Sequence, residues 1–252
     1  MRIGISRTSG GGNEAFEVFA AAKRHGFDGV QAKPSQYSED GLLPDPFIAR
    51  LGELAALVRA GLVVYPGDSF AEWPAKFAEI IAFASAVKAN HLCICCGASS
   101  DGDVEARRRV AADALMAVGR EAGAQGMSVS LHNHAGTIFE SIDDLEKLFA
   151  LLDGAVVGLT LDTAHAAKGG IRDLPDAVRR FSSVLRNVHL KDIGSDGAFC
   201  PLGTGVLDLT PVVDTLRKTG YEQWLIVDEE SGAYTTDEAF RIARAFLRER
   251  GL

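Results

Sequence analysis

The feature that most constrains this chain is a rhythm: a short β-rich run, then a longer stretch with helical periodicity, repeated about eight times. The strand candidates are Arg2–Ser6, Gly29–Lys33, Gly61–Tyr65, His91–Cys96, Ser128–His132, Val156–Asp162, Asn187–Lys191 and Trp224–Asp228. Between them run the helical stretches Glu14–His25, Asp45–Ala60, Glu72–Lys88 and Val104–Gly123. Asp143–Leu152, Leu174–Phe181, Thr210–Lys218 and Asp237–Arg250 follow. Ser141 before Asp143 and Asp144, and Thr236 before Asp237 and Glu238, put caps and acids at positive helix ends. Gly26 and Gly220 punctuate helix ends. Runs this short, in strict alternation, call for a parallel sheet with crossover helices. About eight such units close most economically into a (β/α)₈ TIM barrel, an α/β fold read as one domain over residues 1–252. An open doubly wound sheet is the runner-up. The length, 252 residues, matches the roughly 250 of one such barrel.

Composition narrows the function. The formal net charge is −8, and Arg107, Arg108 and Arg109, the one basic run, read as the solvated face of a helix. A phosphate backbone would be repelled, so nucleic acid is disfavoured as a partner. Cys93 and Cys95 point one way from their strand and Cys96 the other. With no CxxC pair, they read as reduced core cysteines of an intracellular protein. The opening Met-Arg-Ile-Gly-Ile-Ser enters a strand directly, and no apolar run reaches the ~18 residues of a membrane span. A cytoplasmic protein without a membrane partner is expected, and a homo-oligomer stays open.

In a barrel of this type chemistry sits at the C-terminal strand ends. Four of them deliver metal-capable side chains: His132, His134 and Glu140 after the fifth strand, Asp162 and His165 after the sixth, His189 and Lys191 after the seventh, Asp228 and Glu230 after the eighth. A lone histidine is more often a satisfied core or surface residue, Asp162 alone would serve as a helix cap, and His91 stands at the wrong strand end and reads as structural. Convergence of the others is harder to assign to chance. Mixed carboxylate and imidazole ligands suit Mn²⁺, Mg²⁺, Co²⁺ or Zn²⁺ with positions left for substrate oxygens. Arg7, Lys33, Trp73 and Phe199 are further candidates for the mouth. Gly10-Gly11-Gly12 lacks a P-loop lysine and reads as a flexible loop.

Leu-Asp-Thr-Ala-His, Asn-Val-His-Leu-Lys-Asp, Pro-Leu-Gly-Thr-Gly-Val-Leu-Asp and Gly-Tyr-Glu-Gln-Trp-Leu-Ile-Val-Asp, in this order, resemble the xylose-isomerase-like superfamily of sugar isomerases and epimerases. The resemblance covers most of the chain and is densest from Ser128 to Glu230. It implies a (β/α)₈ barrel with a divalent metal held by two acids, an aspartate and a histidine. Matched position by position, Asp162 and His189 become ligands, His165 a substrate-contacting histidine and Lys191 a residue that orders substrate. Asp228 stands where relatives carry a glutamate, with Glu230 on the same face as its substitute. Many relatives read Leu-Glu-Asn-His where this chain has Leu-His132-Asn-His134. His-x-His-x-Gly-Thr followed by Glu140 is similar to an inosose-dehydratase-like variant, which implies Glu140 as the fourth ligand and His132 as reserve. Gln31 and Thr204 also replace acids common in relatives.

The resemblance and the strand-end positions together predict metal ligands Glu140, Asp162, His189 and Asp228, catalytic roles for His134, His165, Lys191 and Glu230, and substrate contacts from His132, Arg7 and Lys33. The expected activity is isomerisation or epimerisation of a sugar or polyol ketone through an enediolate. Dehydration of an inosose or keto-sugar is the first alternative, and a non-catalytic sugar-binding barrel the second. A DNA-repair nuclease, known in one branch, would need more histidines and a less acidic surface.

Overall fold

The computed structural model describes residues 1–98 and 101–252. Eight parallel strands close into a barrel: β1 (Arg2–Arg7), β2 (Gly29–Ala32), β3 (Gly61–Val64), β4 (His91–Ile94), β5 (Ser128–His132), β6 (Gly158–Asp162), β7 (Leu185–Leu190) and β10 (Trp224–Glu229). β8 (Asp192–Ile193) and β9 (Phe199–Cys200) form a small antiparallel hairpin after β7. Closure is made by β1 against β10, with Ser6 beside Asp228 and Arg7 beside Glu229.

The crossovers are α1 (Gly12–Arg24), α2 (Pro34–Tyr37), α3 (Pro44–Leu51), α4 (Trp73–Val87), α5 (Val104–Ala124), α6 (Ile142–Phe149), α7 (Thr163–Lys168), α8 (Leu174–Arg180), α9 (Thr210–Lys218) and α10 (Thr236–Glu249). The stretch expected as one helix over 45–60 divides at Gly52, whose φ of +55° breaks the α-helix, and a 3₁₀ helix continues over Gly52–Ala60. Ser141 caps α6 in a reciprocal capping box with Asp144. The last helix is capped one residue earlier than expected: Thr235, with Glu238, forms its box. Arg108 is not on a solvated face. It is buried and reaches Asp144 at 2.8 Å, tying α5 to α6, with a second ion pair to Glu105. Among the described residues no helix is long and apolar enough to cross a membrane.

Alternation along each strand divides the molecule in two. Ile5, Leu62, Leu92, Leu159, Val188 and Leu225 face outward and merge with helix residues such as Phe19, Phe77, Leu115 and Phe240 into one continuous apolar core. The inward residues form only two small apolar groups, Ala60 with Trp224 and Ile226, and Val63 with Cys93 and Cys95. Gly4 and Gly29 leave the room that Ile226 and Trp224 fill: a Cβ on Gly4 would come within 2.5 Å of Ile226, and one on Gly29 within 2.9 Å of Trp224. The rest of the interior is polar, and much of it is joined by hydrogen bonds between side chains of neighbouring strands. His91 meets Ser130 at 2.8 Å, and Ser130 meets Thr160 at 2.5 Å. Burial pushes the His91 imidazole down to about 4, so it stays neutral in its structural position.

Candidate metal centre and active-site cavity

The motifs at the strand ends contain residues that lock neighbouring strands together as well as residues that face the barrel mouth. Asn133 accepts from the Asp162 N–H at 2.7 Å and donates to its carbonyl at 3.3 Å, joining the ends of β5 and β6. The Thr163 hydroxyl donates to the Lys191 carbonyl at 2.6 Å and accepts from the Lys191 N–H at 2.9 Å, joining α7 to the end of β7. Asp192 accepts from the N–H groups of Gly203, Gly205 and Leu207, which folds the Gly-Thr-Gly segment around its buried carboxylate. A Cβ on Gly205 would sit 2.3 Å from that carboxylate.

Held in this frame, His132, Asp162 and His189 each offer a ligand atom within 4.8 Å of the others, and all three are buried. His132 Nε2 lies 3.4 Å and His189 Nδ1 3.7 Å from Asp162 Oδ2. His189 Nδ1 is also 3.8 Å from Asp228 Oδ2. Asp162 serves two purposes. Its Oδ1 caps α7 by accepting from the His165 N–H at 2.8 Å, while its buried Oδ2 has no hydrogen-bond partner. His189 Nδ1, which faces Asp162, is likewise buried and unpartnered, whereas in His132 the unpartnered nitrogen is Nδ1, not the Nε2 that faces Asp162. Leaving such groups unpaired is costly, and a nitrogen–oxygen–nitrogen donor set is one that a divalent transition metal satisfies. Burial would lower the His189 pKa, but Cys93, Asp162 and Asp228 outweigh it and raise it to about 10. The pocket therefore favours positive charge at this point, as proton or as metal ion.

A cavity of ≈ 320 Å³ opens over the cluster. On one side His134 and His165 stack with ring centroids 3.9 Å apart. Burial lowers both imidazoles, His165 to about 3. On the other side Lys33 and Lys191 converge on two carboxylates. Lys33 Nζ lies 2.9 Å from Asp228 Oδ1 and Lys191 Nζ 3.0 Å from Asp228 Oδ2, and both also bond Glu230. Burial would lower the lysines, yet these carboxylates hold both above the usual ammonium range. Burial would likewise raise Asp228, but Lys191, Lys33 and His189 hold it below the usual carboxylate range. Phe199 roofs this side, its ring 3.8 Å from Lys191 Nζ and 5.3 Å from the centre of the His165 ring.

Of the residues expected at the site, His132, His134, His165, His189, Lys33, Lys191, Asp228 and Glu230 all line this cavity, with Asp162 buried beneath it. Two are placed elsewhere. Glu140 does not join the cluster: its Oε2 accepts from the Gly136 N–H at 2.6 Å, closing its own loop, and His132 stands where Glu140 was expected. Arg7 does not reach substrate space: its guanidinium pairs with Glu229 and donates to the Tyr234 carbonyl at 2.7 Å. The alternation that aims Asp228 inward turns Glu229, and the Arg7 beside it, outward. Trp73 is fully buried in the outer core. In the glycine run, Gly10 and Gly12 donate their N–H groups to Glu14 and Glu39 of this chain, each at 2.6 Å. Tyr65 and Cys95, which also line the cavity, carried no signal beyond their strand-end positions.

This architecture and mouth define a class. The family model described as a xylose isomerase-like TIM barrel matches residues 19–250, and the chain belongs to that family. Among curated relatives, an inosose dehydratase of Clostridium beijerinckii is 29% identical over 163 residues, covering 56% of this chain and 54% of the relative. The chain thus spans about half the length of the curated relatives it matches. A structure of L-ribulose 3-epimerase superposes with a TM-score of 0.80 at 20% identity, covering 99% of this chain and 94% of the other. A structure of the IOLI protein with a bound zinc atom gives 0.75 at 13% identity, covering 99% and 98%. At these identities the two structures show the shared fold.

Proposed function

We propose that the chain is a divalent-metal-dependent enzyme that moves a proton beside the carbonyl of a sugar or polyol ketone, with isomerisation or epimerisation as the outcome. One observation carries this reading: ligand atoms of the buried His132, Asp162 and His189 converge within 4.8 Å of one another, Asp162 Oδ2 and His189 Nδ1 without hydrogen-bond partners, beneath a cavity walled by proton-transfer groups. His132, Asp162 and His189 would hold the ion, with Asp228 the nearest further carboxylate. Such an ion, when bound, supplies Lewis-acid polarisation of a carbonyl oxygen.

The remaining work falls to side chains of this chain. His134, kept neutral by burial, donates its Nδ1–H to the Ala135 carbonyl and so leaves the Nε2 lone pair to accept a proton from carbon, with His165 stacked beside it. Lys33 and Lys191, kept cationic, donate hydrogen bonds to oxygen atoms on which negative charge develops. Glu230 lines the same cavity as the histidines and offers a second proton-transfer group. A proton returned to the neighbouring carbon gives an isomer. Returned to the opposite face of the same carbon, it gives an epimer.

A second reading, loss of a β-hydroxyl as water, is favoured by the inosose dehydratase relative. Both begin with the same proton abstraction, so one experiment separates them. The Mn²⁺-loaded protein is incubated in D₂O with ketoses and with an inosose, following exchange by NMR and ultraviolet absorbance together. Deuterium entry with a new epimer or isomer supports the first reading, and growth of an absorbing unsaturated ketone moves the assignment to dehydration. Failure of the chelator-treated protein to bind Mn²⁺, Co²⁺ or Zn²⁺ overturns both.

A further inference from the structure

One interior residue bears on how the metal would be held. Gln31, on β2 and fully buried, extends across the barrel to His189 on β7, its Oε1 2.6 Å from His189 Nε2. The orientation of its amide is not free. Its other end faces the carbonyl oxygen of Ala60 at 3.2 Å, and a carbonyl only accepts, so Gln31 must place its NH₂ there. The oxygen of the amide then faces His189, and Asn187 donates to it as well at 3.4 Å. An oxygen carrying no hydrogen requires a donor opposite. His189 Nε2 must therefore bear its proton, which leaves the lone pair of a neutral ring on Nδ1. That is the buried, unpartnered nitrogen facing Asp162 and Asp228 at 3.7 and 3.8 Å.

We propose that Gln31 is a positioning residue for the metal centre, fixing the tautomer and ring orientation of His189 so that Nδ1 alone is the ligand atom. The inference rests on the metal-site reading above and names a residue outside the ligand cluster. A partner on the second nitrogen of a metal-bound histidine selects the tautomer and raises ligand basicity. His132 has no such device, because its Nδ1 is unpartnered. The backbone of Ala60, immediately before β3, is the origin of the chain of constraints, running from Ala60 through Gln31 to His189.

Two variants and one spectrum test this. Gln31→Leu removes the acceptor, whereas Gln31→Glu keeps an oxygen opposite Nε2. Titration calorimetry with Zn²⁺ on chelator-treated protein should show affinity reduced about 10–100-fold in Gln31→Leu and reduced less in Gln31→Glu, which keeps an oxygen opposite Nε2 but loses the bond to the Ala60 carbonyl. Long-range ¹H–¹⁵N spectra of the Zn²⁺-loaded wild type should show His189 with a protonated Nε2 and a metal-shifted Nδ1. The spectrum needs no variant to fold. A folded Gln31→Leu protein with undiminished affinity, or a wild-type spectrum with zinc on Nε2, would overturn the inference while leaving the metal centre standing. A wild type that binds no Zn²⁺ would instead remove the metal-site reading and this inference with it.

Discussion

The two faces of the barrel wall are made of different material. Outward-facing strand residues join the helices in one continuous apolar core, whereas inward-facing residues leave only two small apolar groups among hydrogen-bonded and charged side chains. The outer layer is held by area removed from water, about 25 cal/mol per Å², and is indifferent to chemical detail so long as volume is kept. The inner layer depends on partners: His91 on Ser130, Gln31 on Ala60, Lys33 and Lys191 on Asp228. In its upper tier the ligand atoms of His132, Asp162 and His189 converge, with Asp162 Oδ2 and His189 Nδ1 unpartnered. The apolar packing and the candidate site thus lie on opposite faces of the same strands, separated by a single peptide step along each.

Substitutions on the two faces should fail in different ways. The largest effect is expected for His189→Ala, which removes a ligand: affinity for Mn²⁺ or Zn²⁺ should fall by more than the roughly 100-fold that a supporting residue costs. The metal-free protein should keep its circular dichroism and melt cooperatively. Retained metal stoichiometry would refute the site. Phe77→Ala, in the outer core, should cost about 3–5 kcal/mol in denaturant unfolding yet leave metal stoichiometry unchanged wherever the barrel is folded. If metal binding fell in step with Phe77 packing, the division between faces would be wrong.

A smaller effect tests the polar interior through pH. Burial lowers His91 from its ordinary value near 6.5 to about 4, so below 6.5 the unfolded chain takes up a proton that the folded chain refuses. This contribution is complete above about pH 6.5 and is lost as pH falls towards 4, on the order of 3 kcal/mol in all. Denaturant titrations from pH 7 to 4 should show a shallower decline for His91→Gln than for wild type. Equal slopes would mean that His91 is not held neutral. The smallest effect belongs to Glu140→Gln, which should leave metal affinity unchanged. A hundredfold loss would bring Glu140 back as a ligand.

Much of this was legible along the chain because its signals are local. Strand alternation identified the inward set Asp162, His189, Lys191 and Asp228 and turned Glu229 away, and the structure repeats that alternation residue by residue. The structure departs from the sequence expectation where a residue had two available environments. Arg108 had the composition of a surface run but a buried place against Asp144. Arg7 had the position of a mouth residue, but Glu229 lay opposite in the neighbouring strand. Glu140 followed the right spacing, yet its loop closes on Gly136 before its carboxylate can reach the cluster.

What the sequence by itself determined was the eightfold alternation, the barrel and the strand ends that carry chemistry, since period and capping act over a few residues. What only the tertiary structure decided was which groups meet. Gln31 lies 158 residues from His189, and Lys33 lies 195 and 197 residues from Asp228 and Glu230. These pairs become neighbours only when the barrel closes. Closure also brought His132, rather than Glu140, beside Asp162 and His189, because a side chain on the strand itself is aimed by the sheet, whereas Glu140 in the loop beyond bonds its own backbone at Gly136.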